Sequence, residues 1–134
     1  MTHWLPASAI GVVLALGACT PAAAPTPASQ ATPVSSGLEA ASSGLCHALA
    51  ALPDALAAAR AFTNEAHAPL HRLAADPRLS RPMAARVLEA MQLVEADLAR
   101  LPDSNTLRDH LAALRAATDD ALATLRVDIP RCAG

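Results

Sequence analysis

The sequence LRDHLAALRAATDDALATL at residues 107–125 has the most regular helical pattern in this chain of 134 residues. Apolar side chains recur at steps of three, four or seven, at Leu107, Leu111, Leu114, Ala121 and Leu125. This spacing places them on one face of an α-helix. Arg115 and Asp119 lie one turn apart on the opposite face, where they can pair. We therefore predict a helix that packs one face against a core.

The segment from Leu38 to Phe62 shows a similar pattern, with alanine in most of the remaining positions. Its apolar stripe consists of Leu38, Leu45, Leu49, Leu52 and Leu56. Proline usually kinks or breaks a helix, and Pro53 lies within this segment. Because the stripe keeps its phase across Pro53, we predict one kinked helix in preference to two separate helices.

Two further helices complete the predicted fold. A long one runs from the N-cap residue Ser80 to Arg100. Its stripe is Met83, Val87, Met91, Val94, Leu98 and Leu101. A short one begins at Pro69, a residue suited to the first helical position, and ends at Ala75. The sequence therefore predicts an all-α domain at residues 38–134, an up-down bundle of three long helices and one short helix.

The N-terminal residues have a different character. An apolar run from Ala7 to Ala18 is shorter than the roughly 20 residues of a membrane-spanning helix, and it has the length of a signal-peptide core. It ends in Leu16-Gly17-Ala18-Cys19, which resembles the lipobox of bacterial lipoproteins. The resemblance implies cleavage after residues 1–18 and acylation of Cys19, for example with palmitate. A plain secretory signal and a short buried helix are the alternatives.

The segment at residues 19–37 is rich in alanine, proline, serine and threonine and contains no charged residue. Such a composition cannot bury enough apolar surface to fold, so we predict an extended tether. With the lipobox resemblance, this organisation implies an extracytoplasmic domain held at a bacterial membrane by the lipid on Cys19. The sequence leaves open whether that membrane is the plasma membrane or an outer membrane.

Two cysteines remain if Cys19 carries lipid. They are Cys46 and Cys132, which lie near opposite ends of the helical domain. In an oxidising compartment such a pair usually forms a disulfide, and two buried free thiols are the alternative.

This disulfide would constrain the topology of the bundle. With short loops each helix reverses the chain, and a helix of 20 residues is about 30 Å long. An odd number of helices would therefore leave Cys132 far from Cys46, whereas a disulfide needs Cα atoms within about 7 Å. The pairing and a four-helix arrangement support each other.

His67 and His71 are the candidate metal ligands. Their separation of four residues places two imidazoles on one face of a continuous helix, and such a pair can bind a transition metal. His47 and Glu65 are possible additional ligands. Pro69 lies between the two histidines and disfavours helix immediately before it, so exposed histidines without a metal are the alternative interpretation.

The overall composition narrows the possible functions. A net charge of −2 does not favour nucleic-acid binding. The sequence contains no phosphate-binding loop, H-E-x-x-H motif or nucleophile elbow, so we predict no catalytic residue and no cofactor. We expect a non-enzymatic binding or structural module of the cell envelope, which could contact another envelope protein. The alternative is an extracytoplasmic protein that binds a metal or small ligand through His67 and His71.

Overall fold

The structure is a computed structural model that describes residues 37–100 and 103–133. Within these ranges all regular secondary structure is helical. The elements are α1 (Glu39–Ala51), α2 (Ala55–Ala61), a π-helical turn (Phe62–Ala66), α3 (His67–Ala74), α4 (Arg81–Arg100) and α5 (Ser104–Thr124). The π-helical turn joins α2 to α3 without interruption, so the described residues form four helical stretches. The predicted all-α fold class is confirmed.

The chain breaks at Pro53, and the prediction of one kinked helix through this residue is wrong. Leu52 has an extended backbone with ψ of 140°, as expected for a residue that precedes proline. Asp54 then caps α2, because its carboxylate accepts two backbone hydrogen bonds of 3.0 Å. The break alters the helical phase, which leaves the Leu56 side chain 55% exposed instead of buried.

The second stretch also differs from its prediction. The residues from Pro69 to Ala75 were expected to form a separate short helix, whereas α3 continues directly from α2 through the π-helical turn. The shortest of the four stretches is α1, with 13 residues, while α4 and α5 have 20 and 21. The number of helical stretches is as predicted, but the boundaries between the first two are not.

The two C-terminal helices begin at side-chain caps, of which Ser80 was predicted from the sequence. The Ser80 hydroxyl accepts a hydrogen bond from the backbone N–H of Met83 at 3.4 Å. The Asp103 carboxylate accepts hydrogen bonds from the backbone N–H groups of Asn105 and Thr106 at 2.9 and 3.0 Å. These bonds satisfy backbone donors that have no partner within the helix, and they define where α4 and α5 start.

The core is formed by the apolar faces of all four stretches. Helix α1 packs against the π-helical turn, α2 and α5, and α4 packs along α5 and α3. The largest fully buried apolar side chains include Leu45, Leu70, Leu73, Val87, Val94, Leu107, Leu111, Leu114 and Leu122. The predicted stripe of α4 as far as Leu98 and that of α5 therefore face the core, and Leu101 lies outside the described residues.

A disulfide between Cys46 of α1 and Cys132 joins the C-terminal segment to the helices. The two Cα atoms are 5.2 Å apart, and 86 residues separate the cysteines in sequence. Residues 127–133 have no regular secondary structure. No helix in the described ranges has both the length and the apolar character needed to cross a membrane.

A candidate metal-binding site

His67 and His71 lie on one face of α3, as their spacing predicts. His67 is the first residue of this helix and follows the π-helical turn directly. The two imidazole ring centroids are 4.7 Å apart, with the ring planes at 76°. The structure therefore brings the two predicted ligands together.

A third potential ligand, Glu95, comes from the neighbouring helix α4. Its Oε1 lies 2.9 Å from Nε2 of His67, which is hydrogen-bond distance. One ligand atom from each of His67, His71 and Glu95 lies within 4.8 Å of the others. Donor atoms around a tetrahedral zinc ion are about 3.4 Å apart, given bonds of about 2.1 Å. His71 is the exposed member of the three.

The π-helical turn explains how Pro69 is accommodated between the two histidines. In a regular α-helix, a proline ring collides with the carbonyl group four residues earlier. For Pro69 that residue is Glu65, which lies within the wider π-helical turn. Pro69 itself is buried in α3. The local sequence therefore retains a helix that presents both histidines, contrary to the expectation that proline would separate them.

The buried Phe62 ring supports His67 from the side of the core. Phe62 is 2% exposed, and its ring meets the imidazole edge to face with centroids 5.9 Å apart. The side chains of His67 and Glu95 are themselves 38% and 41% exposed. The cluster thus has one side packed on the protein and one side open to solvent.

The other two histidines of the described ranges each pair with a carboxylate outside the cluster. His47 of α1 pairs with Glu65 of the π-helical turn, so these two possible ligands do not join the cluster. The side chain of His110 in α5 is 31% exposed, and its Nδ1 lies 2.5 Å from Asp97 of α4. Both pairs link neighbouring elements and do not form a three-ligand site.

A second polar network surrounds the disulfide. The Arg115 guanidinium contacts both sulfur atoms, and its Nη1 lies 3.0 Å from Sγ of Cys46. Its Nη2 donates a hydrogen bond of 3.3 Å to the carbonyl oxygen of Pro130. Arg115 therefore holds the C-terminal segment against α5, whereas the disulfide joins that segment to α1.

The same arginine forms the predicted ion pair with Asp119. Arg115 Nε donates to Asp119 Oδ2 at 3.2 Å, and the fully buried Ser42 hydroxyl donates to Asp119 Oδ1 at 2.8 Å. These groups were expected to face solvent, but the side chains of Arg115 and Asp119 are only 19% and 27% exposed. The polar groups of Arg115, Asp119 and Ser42 bond to one another, so we interpret this network as structural.

Two carboxyl groups outside the cluster have lowered pKa values. Hydrogen bonds from the Arg78 side chain and backbone lower the pKa of Asp76, and the same side-chain contact raises the pKa of Arg78. Hydrogen bonds from the backbone and hydroxyl of Thr106 lower the pKa of Asp103. Both carboxylates are occupied by local partners at the ends of helices.

Glu95 is the potential ligand that the sequence did not reveal. It follows the buried Val94 on α4, and only the packing of α3 on α4 places it beside His67. Nothing in the spacing of Glu95 from the histidines, which are more than 20 residues earlier, signals this contact. The one sequence feature that could have indicated this role is the position of Glu95 directly beside the apolar stripe of α4.

The predicted signal peptide, lipobox and most of the tether lie outside the described residues, and so does Cys19. Comparison with known proteins adds no assignment, since no protein-family model, curated protein or solved structure matches the chain.

Proposed function

We propose that this chain is an exported, lipid-anchored module of a bacterial envelope whose helical domain binds a divalent transition-metal ion such as Zn²⁺. The role is non-enzymatic. The observation that carries the proposal is the convergence of His67, His71 and Glu95, whose ligand atoms lie within 4.8 Å of one another. Two imidazoles and one carboxylate form a donor set that suits zinc and its first-row neighbours.

The arrangement of these donors supports metal binding over an ordinary surface ion pair. An ion pair requires only His67 and Glu95, whereas His71 adds a second nitrogen at the same place. Phe62 fixes the ring plane of His67 from the core side. Ligands that are held by surrounding packing lose less entropy when the metal binds.

The up-down bundle is part of the same proposal. The cysteines are close, and α4 packs along α5 after a short connection. These contacts support a topology in which the chain reverses between successive stretches. Such a bundle would hold α3 and α4 side by side, as a site shared between the two helices requires.

The anchoring part of the proposal rests on the lipobox-like sequence that ends at Cys19 and on the charge-free segment after it. Mass spectrometry of the intact protein from its native membrane fraction tests this part. We expect a mass that corresponds to a chain beginning at an acylated Cys19. A chain that retains residues 1–18, or lacks the acyl groups, would contradict it.

Zinc titration of the full-length, untagged chain, followed by calorimetry, tests the metal site. We expect saturable binding of one ion per chain. His71→Ala and Glu95→Gln should each weaken binding by about tenfold or more, because each removes one of only three donors. His71 is the better histidine to change, since it is exposed and its loss should leave the core intact.

Two matched variants provide the controls for this titration. His47→Ala removes an exposed histidine that pairs with Glu65, and Glu89→Gln removes an exposed carboxylate from α4 outside the cluster. Both should bind zinc as the unchanged protein does. Equal weakening in the controls and the site variants would show that zinc binds elsewhere.

A further inference from the structure

We infer that the metal bound by His67, His71 and Glu95 keeps an open coordination position and takes a small monoanionic ligand, of the carboxylate class, from solution. This inference depends on the proposed metal site. It adds a statement about what the bound ion recognises, which the existence of the site does not require.

The cluster has too few donor side chains to complete the coordination of a zinc ion. Within residues 37–100 and 103–133, the cluster contains three side chains with suitable atoms, and no fourth histidine, cysteine, aspartate or glutamate joins it. The remaining positions of the sequence contribute only His3 and Cys19 of these types. Of these, the proposed processing removes His3 and acylates Cys19. Zinc takes at least four ligands, so at least one position is left for an external donor.

The cluster is accessible to solvent. All three ligands have a substantial solvent-accessible fraction, and His71 is the most exposed of them. Phe62 covers His67 on the core side. The open coordination position therefore faces solvent, where a small molecule can reach it without movement of a helix.

The net charge of the metal-loaded site favours a monoanion as the external ligand. Metal binding requires neutral imidazoles and an ionised carboxylate. A divalent ion with one carboxylate and two neutral imidazoles has one positive charge left. The nearby His47 and Glu65 pair with each other, as do His110 and Asp97, so these carboxylates are already engaged. A monoanion neutralises the remaining charge, whereas a neutral donor of the same shape does not.

Cobalt provides the test, because the visible absorption of bound Co²⁺ responds to a change in its ligands. The processed, untagged protein, which lacks His3 and carries an acylated Cys19, is loaded with Co²⁺ and titrated with acetate, and separately with acetamide, at constant ionic strength and pH. We expect acetate to change the Co²⁺ spectrum saturably, with one acetate per ion. Acetamide, the neutral analogue, should bind at least tenfold more weakly.

The possible results separate the two proposals. If Co²⁺ binds but acetate leaves its spectrum unchanged, the open position is refuted and the metal site stands. If acetamide changes the spectrum as effectively as acetate, the preference for an anion is refuted. If Co²⁺ does not bind, or binds equally to the His71→Ala variant, the metal site itself is refuted and this inference with it.

Discussion

Gly44 of α1 lies directly against the backbone of Ala66 in the π-helical turn. A Cβ atom placed on Gly44 would come within 2.6 Å of the Ala66 nitrogen, a separation that side-chain carbons do not tolerate. Both residues are buried. The two backbones can approach this closely only because position 44 has no side chain.

We therefore expect Gly44→Ala to destabilise the protein, although alanine is the better helix former. Propensity alone would favour alanine in a helix by about 1 kcal/mol. Overpacking in a closely packed interior typically costs about 1–3 kcal/mol, and here the opposing atoms belong to the backbone, which cannot rotate away. Urea denaturation of the two proteins measures the net effect.

Gly37→Ala is the matched control for this substitution, because a Cβ atom there meets nothing within 4 Å. It should leave the free energy of unfolding almost unchanged. A Gly44→Ala variant as stable as the control would show that α1 and the π-helical turn are not in close contact in solution.

The helical faces of this protein could be predicted from spacing alone, while the site depends on details that spacing does not contain. Val87, Met91 and Val94 recur at helical intervals, and all three are buried in the structure. The break at Pro53 was missed because the leucine spacing fits one continuous helix, although the helix ends just before this proline. Hydrophobic periodicity predicts which face of a helix is buried, but it does not predict where the backbone leaves the helical conformation.

The π-helical turn and Glu95 show the same limit at the candidate site. Nothing in Phe62–Ala66 distinguishes a π-helical turn from one of α-helix by composition, although the later proline at position 69 requires some adjustment before it. Glu95 reaches His67 through contact between two helices. Pairing across helices depends on how they pack, which a pattern within one helix does not specify.

The disulfide should contribute a large share of the stability. Closing a loop of 86 residues restricts the unfolded chain and is worth about 4–5 kcal/mol in the chain-entropy model. We expect the Cys46→Ala/Cys132→Ala double variant to lose stability on this scale. Urea denaturation of the double variant and of the oxidised protein measures the difference.

Reduction of the unchanged protein with dithiothreitol is the control for the disulfide, since it opens the bond without replacing any side chain. It should lower the urea midpoint as the double substitution does. A midpoint that does not respond to dithiothreitol would contradict a disulfide contribution, provided that a thiol assay confirms reduction.

The Asp103 cap should make stability fall in acid. Hydrogen bonds from Thr106 lower the pKa of Asp103 in the folded protein, so its ionised form is favoured by folding. Its contribution is fully present above the pKa of the unfolded chain, and it is lost as the pH falls through the lowered folded value. Urea midpoints measured across this acidic range should decline less in Asp103→Asn than in the unchanged protein.

Asp128→Asn is the corresponding control, because Asp128 is exposed and lies in the C-terminal segment without helical structure. Its acid dependence should match that of the unchanged protein. If Asp103→Asn and Asp128→Asn show the same pH profile, ionisation of the cap does not contribute to stability.

Zinc should raise the thermal stability of the protein through a site that bridges α3 and α4. A ligand that binds only the folded state at 100 times its Kd stabilises that state by about 2.7 kcal/mol. Because protons compete with the metal for the imidazole nitrogens, this stabilisation should diminish as the pH is lowered. Thermal unfolding followed by circular dichroism, with and without zinc at neutral and acidic pH, measures both effects. The Tm of His71→Ala should respond little to zinc, whereas the Tm of the control variant His47→Ala should rise as it does in the unchanged protein. An undiminished rise in His71→Ala would mean that zinc stabilises the protein by binding at another site.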